Sequence, residues 1–231
     1  RRTMPLKLPI IYPITSGATS PQTTPDDPQF SEILRLVRAA VDADVPLLQI
    51  REKSLHARVL FELVARAVEI THGSRTRLLV NDRVDIARAA GADGVHLTAQ
   101  SLPVEVVRNT FGAGFLIGVS THSLDEARVA QVAGADFVVF GPVFETQSKR
   151  TYGEPQGLDK LREVTRALGE FPVVAIGGIT VENVDECFEA GARGVAAISM
   201  LNDTKNMASI VETIRRTRFT RFEQDEQASC T

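Results

Sequence analysis

LLVNDRVDIARAAGADGVHL, residues 78–97, is the stretch of sequence that decides the fold. It begins with an apolar run that ends at Asn81, continues as an amphipathic segment from Val84, and finishes in a second apolar run, Gly94–Leu97. Runs this short, bounded by polar residues or glycine, are typical of strands, whereas the segment between them has helical spacing. We therefore interpret the stretch as strand, helix and strand, the repeating unit of a parallel sheet.

The hexapeptide that joins this helix to the next strand occurs in three versions. AGADGV begins at Ala90, AGADFV at Ala133 and AGARGV at Ala190. Glycine relieves the left-handed backbone geometry at a helix C-terminus, so each copy marks the end of a helix and the start of a strand.

Apolar runs alternate with helix-like segments along the chain. The predicted strands are Ile10–Ile14, Leu47–Arg51, Leu78–Val80, Gly94–Leu97, Leu116–Val119, Phe137–Phe140, Val173–Ile176 and Val195–Ile198. The predicted helices are Ser31–Ala43, Ala57–His72, Val84–Ala90, Pro103–Phe111, Leu124–Ala133, Leu158–Leu168, Val181–Ala190 and Met207–Thr217. About eight such pairs predict a single α/β domain over residues 1–231, a (β/α)8 TIM barrel. A doubly wound open sheet ranks second, because no GxGxxG follows the first strand.

Two stretches lie outside this pattern. The polar segment at residues 16–30 follows the first strand and is either a mobile lid or a disordered insertion. We expect the barrel core to span residues 8–218, with residues 219–231 as a flexible tail.

Composition limits the classes of protein to which the chain can belong. The formal net charge of -3, without a dominant basic block, argues against nucleic acid as a partner but leaves room for a small anionic substrate at a local basic cluster. No segment is apolar for long enough to span a membrane. With only two cysteines, Cys187 and Cys230, we expect no disulfide framework and a cytoplasmic location. Composition does not decide the oligomeric state, and a homo-oligomer is one of the options.

Functional groups of a TIM barrel follow the carboxyl ends of its strands. QIREK, at the end of the second strand, puts Gln49, Arg51 and Lys53 on one side. These groups suit a diphosphate, because arginine offers a planar fork and lysine a point charge. A solvated charge cluster is the alternative. Asn81 and Asp82 follow the third strand, where a lone aspartate also suits a helix cap.

The remaining strand ends carry hydroxyls, glycines and basic groups. These are Ser120 and His122 after the fifth strand, Thr146, Ser148 and Lys149 after the sixth, Gly177 and Gly178 after the seventh, and Ile198 and Ser199 at the eighth. A flexible loop with hydroxyls and a lysine suits an anion that must be enclosed and released. Loops after strands seven and eight are the usual phosphate cradle of this fold.

Seven motifs, in this order, carry a family resemblance: QIREK, NDRVDIA, GADGVHL, IGVSTHS, GPVFETQSK, VAIGGIT and AISM. From about Ile10 to Leu201 the chain resembles the family of thiamine phosphate synthases and thiazole tautomerases. For a synthase, the resemblance implies that hydroxymethylpyrimidine diphosphate is joined to a thiazole phosphate, with release of pyrophosphate and with Mg²⁺ as cofactor.

The resemblance also implies roles for individual residues. It assigns binding of the pyrimidine and its diphosphate to Gln49, Arg51, Lys53, Asn81 and Lys149, of which the three cations act on the leaving group. It assigns binding of the metal to Asp82. It assigns binding of the thiazole phosphate to Ser120, Thr146, Ser148, Gly178, Ile198 and Ser199.

The chain departs from the synthase pattern in two motifs. Synthases typically read HLGQxD after the fourth strand, where the aspartate is the second metal ligand, but this chain has Ser101 there and Ala99 instead of Gln. The phosphate loop reads FETQSK rather than PTxTK, and FET is closer to the tautomerases. A hydroxyl can touch Mg²⁺ through water, but the lost charge lowers the expected affinity. Glu145 and Gln100 are candidates for the missing oxygen.

Two other functions stay open beside the synthase. A thiazole tautomerase would use His122 as acid and base and would need no diphosphate site. Tautomerases tend to lose the Lys of REK and the Asp of ND, whereas Lys53 and Asp82 are both present. A non-catalytic protein that binds phosphate ligands is the third hypothesis. Arg51, Lys53, Asp82 and Lys149 together favour the synthase.

Overall fold

The computed structural model describes residues 6–146 and 154–228, and for residues 218–228 it describes only the backbone. The strands β1 to β8 span Ile10–Pro13, Leu47–Ile50, Arg77–Asn81, Gly94–Leu97, Leu116–Thr121, Phe137–Phe140, Val173–Ile176 and Gly194–Ala197. The helices α1 to α8 span Pro28–Asp42, Ala57–Thr71, Val84–Ala90, Val104–Phe111, Leu124–Val132, Gly157–Leu168, Val184–Glu189 and Met207–Ala228.

The strands form one parallel sheet in the order β1-β8-β7-β6-β5-β4-β3-β2. Its two edges meet at a bridge between Ile14 and Gln49, where the Thr15 N–H donates to the Gln49 carbonyl at 3.0 Å. Strands therefore follow one another around a ring, with a helix after each. This is the TIM barrel that the sequence predicts, and the doubly wound sheet is excluded.

Alternation along the strands divides the apolar side chains into two layers. Tyr12, Leu47, Leu79 and Phe137 belong to the cluster inside the barrel. Their chain neighbours, such as Leu48, belong to the larger cluster between the strands and the helices. Residues two or four positions after an inward side chain therefore face the barrel axis at the carboxyl end, which is how polar groups of different strands converge.

The aspartate of the AGAD repeat has a role that the glycine alone does not reveal. Asp93 accepts the backbone N–H of Leu78 at 2.9 Å, and Asp136 accepts that of Ile117 at 2.7 Å. Each carboxylate also pairs with an arginine. The two aspartates thus join neighbouring strands at the amino end of the barrel, opposite the end where barrel enzymes bind their substrates.

Helix bounds differ from the sequence prediction by more than one residue at three places. Helix α1 begins at Pro28 rather than Ser31, since proline fits the first turn of a helix. Helix α7 begins at Val184 rather than Val181, because residues 181–183 form a turn. Helix α8 continues to Ala228, so the backbone is helical where the sequence predicts a flexible tail from residue 219. The straight-chain polar residues in this segment are good helix formers.

None of the described helices is long and apolar enough to cross a membrane.

Candidate active site

Two adjoining cavities open at the carboxyl end of the barrel, and Ile176 and Ile198 line both. The inner cavity has a volume of about 280 Å³ and is lined by Ile14, Gln49, Arg51, Lys53, Asn81, His96, Thr98, Ala99, Gln100, Ser120, His122, Val139, Ile176 and Ile198. The cradle cavity has a volume of about 630 Å³ and is lined by Glu145, Thr146, Ile176, Gly177, Gly178, Ile179, Thr180, Ala196, Ala197, Ile198, Ser199 and Met200.

Arg51 and Lys53 give the inner cavity its positive charge. Arg51 is half-buried and Lys53 is exposed, and neither forms an ion pair with a residue that the structure describes. Half-burial of Arg51 beside a cavity argues against the alternative of an ordinary solvated cluster. Cations without carboxylate partners at a cavity favour an anionic ligand.

Glu52 lies between these two cations but faces away from the inner cavity. It is only 3% exposed, and its carboxylate accepts hydrogen bonds from the Gly17 N–H at 3.1 Å, the Thr19 N–H at 3.3 Å and the Thr19 hydroxyl at 2.6 Å. The carboxylate thereby ties the polar segment after β1 to the segment that carries the cations. The polar segment at residues 16–30 is therefore not a disordered insertion.

Two amide side chains lie at the ends of β2 and β3. The Gln49 amide donates to the Asn81 side-chain oxygen at 3.1 Å, and both residues are buried. The side-chain oxygen of Gln49 has no hydrogen-bond partner among the described residues. An unpaired buried acceptor costs about 1–3 kcal/mol, so a ligand donor at this atom would stabilise the site.

His96 is a site residue that the sequence analysis missed. It is 3% exposed on β4, with Nδ1 at 3.3 Å from the Tyr12 hydroxyl and Nε2 at 2.8 Å from the Ser120 hydroxyl. Burial, and secondarily the charge of Arg51, lowers the pKa of His96 to about 3, so the imidazole is neutral. One signal was present in the sequence: His96 is the single polar side chain in the apolar run Gly94–Leu97, at an inward position.

His122 lines the inner cavity from the end of β5. Its Nδ1 lies 2.5 Å from the Gly141 carbonyl, and its backbone N–H donates to the Glu126 carboxylate at 2.6 Å. A carbonyl only accepts, so Nδ1 carries the hydrogen and Nε2 is the nitrogen left for a ligand.

Gly177 and Gly178 allow two loops to approach closely in the cradle cavity. Their φ angles are 101° and 65°, in the left-handed region. A Cβ on Gly178 would lie 2.3 Å from the Glu145 carbonyl oxygen, and one on Gly177 would lie 2.5 Å from the Pro142 Cβ. No residue other than glycine fits either position without backbone movement.

The residues that the resemblance assigns to the thiazole phosphate line two different cavities. Thr146, Gly178, Ile198 and Ser199, which the resemblance assigns to the thiazole phosphate, all line the cradle cavity. Ser120, assigned to the same phosphate, instead lines the inner cavity beside His96. The predicted Ser148 and Lys149 lie outside the described residues.

Asp82 does not cap helix α3, because Arg83 holds the N-cap position and no side chain caps the helix. Asp82 has a left-handed φ of 62°, and its N–H donates to the His96 carbonyl at 2.9 Å. Within the described part of the chain its exposed carboxylate accepts no hydrogen bond. It borders a third cavity of about 270 Å³, here named the Asp82 cavity, which Asn81, Thr98 and Gln100 also line.

The Ser101 hydroxyl forms hydrogen bonds within its own turn rather than beside Asp82. Its hydroxyl accepts the Thr98 N–H at 2.8 Å and lies 3.2 Å from the Thr98 hydroxyl, so it stabilises a turn. In residues 6–146 and 154–217 no three His, Cys, Asp or Glu side chains form a group suited to a metal ion. Gln100 lines the Asp82 cavity, whereas Glu145 lines the cradle cavity.

A TIM barrel with cations at a cavity, buried amides and a glycine-built cradle at its carboxyl end defines a class of proteins that bind small phosphorylated molecules. The family model for thiamine monophosphate synthase matches residues 21–201, and the chain belongs to this family. This confirms the resemblance found in the sequence motifs.

Similar proteins carry the same description. A putative thiamine-phosphate synthase of Geobacter sulfurreducens is 48% identical over 170 residues, covering 74% of this chain and 79% of that protein. A thiamine-phosphate synthase of Moorella thermoacetica is 41% identical over 182 residues, covering 79% and 86%. The solved structure of a thiamine phosphate pyrophosphorylase from Pyrococcus furiosus superposes with a TM-score of 0.74 at 31% identity, covering 90% of this chain and 94% of that one.

Proposed function

We propose that this chain is a thiamine-phosphate synthase, a transferase that joins hydroxymethylpyrimidine diphosphate to a thiazole phosphate and releases pyrophosphate. The observation that carries the proposal is the pair Arg51 and Lys53, which line the inner cavity without ion-pair partners among the described residues. Proton transfer on a thiazole carboxylate releases no anionic leaving group, whereas a departing diphosphate makes use of both cations. Relatives named thiamine-phosphate synthase, at 48% and 41% identity, support the same activity.

In this proposal the inner cavity binds the pyrimidine diphosphate. Gln49 and Asn81 hold the pyrimidine, and the unpaired Gln49 oxygen suits a ligand N–H donor. Breaking the carbon–oxygen bond sends its electron pair to the diphosphate and leaves a cation on the pyrimidine methylene carbon. Arg51 and Lys53 stabilise the charge that develops on the leaving group, with Lys149 in the same role.

The cradle cavity binds the thiazole phosphate through Thr146, Gly177, Gly178 and Ser199, and the family resemblance adds Ser148 to this set. Ile176 and Ile198 are common to both cavities, so the two substrates meet across these side chains. The thiazole nitrogen attacks the carbon cation with its own lone pair. This step needs no general base.

Mg²⁺ fits the site if the substrate supplies most of the ligand oxygens. The Asp82 carboxylate accepts no hydrogen bond from a described residue, and the polar residues Asn81, Thr98 and Gln100 line the same cavity. Mg²⁺ commonly binds through one or two carboxylates together with substrate phosphates. When bound, Mg²⁺ would neutralise charge on the leaving diphosphate. Ser101 is not a ligand in this proposal, because its hydroxyl stabilises a turn.

The test is an incubation of the purified protein with both precursors and Mg²⁺, followed by detection of thiamine phosphate and pyrophosphate. We expect both products, and we expect Asp82→Ala and Arg51→Ala to lose them. Isomerisation of a thiazole carboxylate that is lost in His122→Ala, without coupling, would replace the synthase by the tautomerase. Neither reaction, together with a melting temperature raised by phosphate, would leave a binding protein. The cytoplasm stays the predicted compartment.

A further inference from the structure

Three polar side chains from different strands form one hydrogen-bonded chain that reaches the inner cavity at His96 and Ser120. Tyr12 on β1 contacts Nδ1 of His96 on β4 at 3.3 Å, and Nε2 of His96 contacts the hydroxyl of Ser120 on β5 at 2.8 Å. Tyr12 is 0% exposed and His96 is 3% exposed. The Tyr12 ring is held edge-on to Phe137, with 5.6 Å between ring centroids.

The proton positions in this chain follow from the chemistry of the groups. His96 is buried against two hydroxyls and has no carboxylate partner among the side chains that the structure describes, so its imidazole is neutral and has one N–H and one acceptor nitrogen. The Tyr12 phenol is buried, and burial raises its pKa well above the ordinary value, so it keeps its proton. His96 is the hydrogen-bond partner that the structure gives this phenol.

These constraints select one arrangement. Tyr12 donates its proton to Nδ1, so the single hydrogen of the imidazole lies on Nε2, which donates to the Ser120 oxygen. The oxygen of Ser120 already accepts, and its own O–H is left to donate elsewhere. Ser120 lines the inner cavity, so that hydrogen is available to a ligand.

We propose that Tyr12 and His96 are positioning residues that fix the Ser120 hydroxyl as a donor to an acceptor atom of the bound pyrimidine diphosphate. The proposal rests on the proposed function for the identity of the ligand. Without the Tyr12 hydroxyl, the imidazole hydrogen is free to move to Nδ1, and Ser120 then donates to Nε2 instead of the ligand. The Tyr12 hydroxyl therefore acts through two intervening groups rather than by touching substrate.

The first test reads the tautomer of His96 directly, by ¹⁵N NMR of protein labelled in its histidine rings. The chain has 4 histidines, and the signals lost in His96→Gln identify the residue. We expect the hydrogen on Nε2 in the unchanged protein and a shift towards Nδ1 in Tyr12→Phe, which removes only the hydroxyl. Hydrogen on Nδ1 in the unchanged protein, or no shift in Tyr12→Phe, would overturn the proposal.

The second test is a double-mutant cycle on coupling activity. One lost neutral hydrogen bond lowers kcat/KM by about five- to tenfold, which we expect for Tyr12→Phe. In a Ser120→Ala background the same substitution should change nothing further, because its route to the ligand is gone. Additive losses would mean that Tyr12 acts independently of Ser120, and the positioning role would be rejected.

Two comparisons separate positioning from general damage to the core. His96→Gln keeps an amide N–H for Ser120 and should retain more activity than His96→Leu, although both alter packing. Thr165→Val removes another buried hydroxyl, which donates to the Ala190 carbonyl outside both cavities, and should lower stability without changing KM. Equal activity of His96→Gln and His96→Leu would contradict the proposal.

Failure of this inference is distinguishable from failure of the proposed function. The tautomer measurement needs no turnover, so it decides the hydrogen-bond chain even if no thiamine phosphate forms. Coupling activity with the wrong tautomer would leave the synthase intact and remove only the positioning role.

Discussion

The ends of β2 and of β7 offer binding groups built on different principles. After β2 the groups are charged side chains, Arg51 and Lys53, beside a buried carboxylate that ties down the neighbouring loop. After β7 the important atoms are backbone atoms, at Gly177 and Gly178, which left-handed φ angles and tight loop contacts reserve for glycine.

This difference determines how each region fails. Side-chain charges can be removed one at a time, and their effect on a ligand weakens as salt screens the field. The backbone cradle cannot be altered one group at a time. A methyl group added at Gly178 would already fill the space between the loops after β6 and β7. We expect losses of activity at β2 that depend on the substitution and on the salt concentration, and losses at β7 that do not depend on salt.

The largest effect is expected at the charged region. Arg51→Ala removes a guanidinium from the developing charge of the leaving group and should lower kcat/KM by about 100-fold or more. Arg51→Lys keeps the charge without the planar fork and should lose less. Steady-state kinetics at two salt concentrations measures both. Arg128→Ala, on the exposed face of α5, is the control and should be neutral; an equal loss there would remove the special role of Arg51.

The glycine cradle comes next in size. Gly178→Ala combines a left-handed backbone with a Cβ that would lie 2.3 Å from the Glu145 carbonyl oxygen, and should raise the KM for thiazole phosphate about tenfold or more. Gly73→Ala is matched, since Gly73 has a φ of 75° but nothing within 4 Å of an added Cβ. It should cost stability alone. A similar KM rise in both variants would show strain, not a filled cradle.

The tether between β2 and the loop after β1 should have a smaller effect. Glu52→Gln turns one of two accepting oxygens into a donor facing backbone N–H groups, and should lower the free energy of unfolding by about 1–3 kcal/mol. Hydrogen exchange should rise in residues 16–19, with an activity loss smaller than that of Arg51→Ala.

Asp27→Asn supplies the control for this tether. The Asp27 carboxylate accepts from the N–H and hydroxyl of Thr24, within the same loop. Its loss should loosen the turn without changing activity. Equal activity losses in both loop variants would mean that the tether to β2 has no distinct role.

The smallest effect concerns the metal. Ser101→Asp adds a carboxylate near the Asp82 cavity and should lower the Mg²⁺ concentration for half-maximal activity by about threefold. The gain is limited because this position belongs to the Thr98 turn. Ser123→Asp adds the same charge at the N-cap of α5, a matched hydroxyl position, and should not alter the Mg²⁺ requirement. An unchanged requirement in Ser101→Asp would place the metal away from this turn.

Much of the fold was predictable because its signals are local. Glycine in the AGAD repeat and the length of the apolar runs define the elements one by one, and their number defines the barrel. The bounds of α1 and α7 were less predictable, since a proline and a turn shift them by about one helical turn.

The site was predictable where side-chain alternation alone decides the outcome. Gln49, Arg51 and Lys53 share one face because they are two residues apart, and all three line the inner cavity. His96 was missed because its one signal, a polar side chain at an inward position of an apolar run, does not distinguish a site histidine from a histidine of the core. The placement of Ser120 depends on which strands adjoin across the barrel, which no local pattern contains.

The joint between β1 and β2 has a consequence for substrate release. Gln49 closes the ring of strands through its backbone carbonyl, which accepts the Thr15 N–H at 3.0 Å, while its side chain lines the inner cavity. At the same contact between β1 and β2, the Arg51 backbone N–H donates to the Thr15 hydroxyl at 2.8 Å. A molecule bound to Gln49 and Arg51 therefore stabilises the contact between β1 and β2 that closes the barrel. Separation of β1 from β2, in global unfolding or in local opening, is thermodynamically linked to release of the substrate.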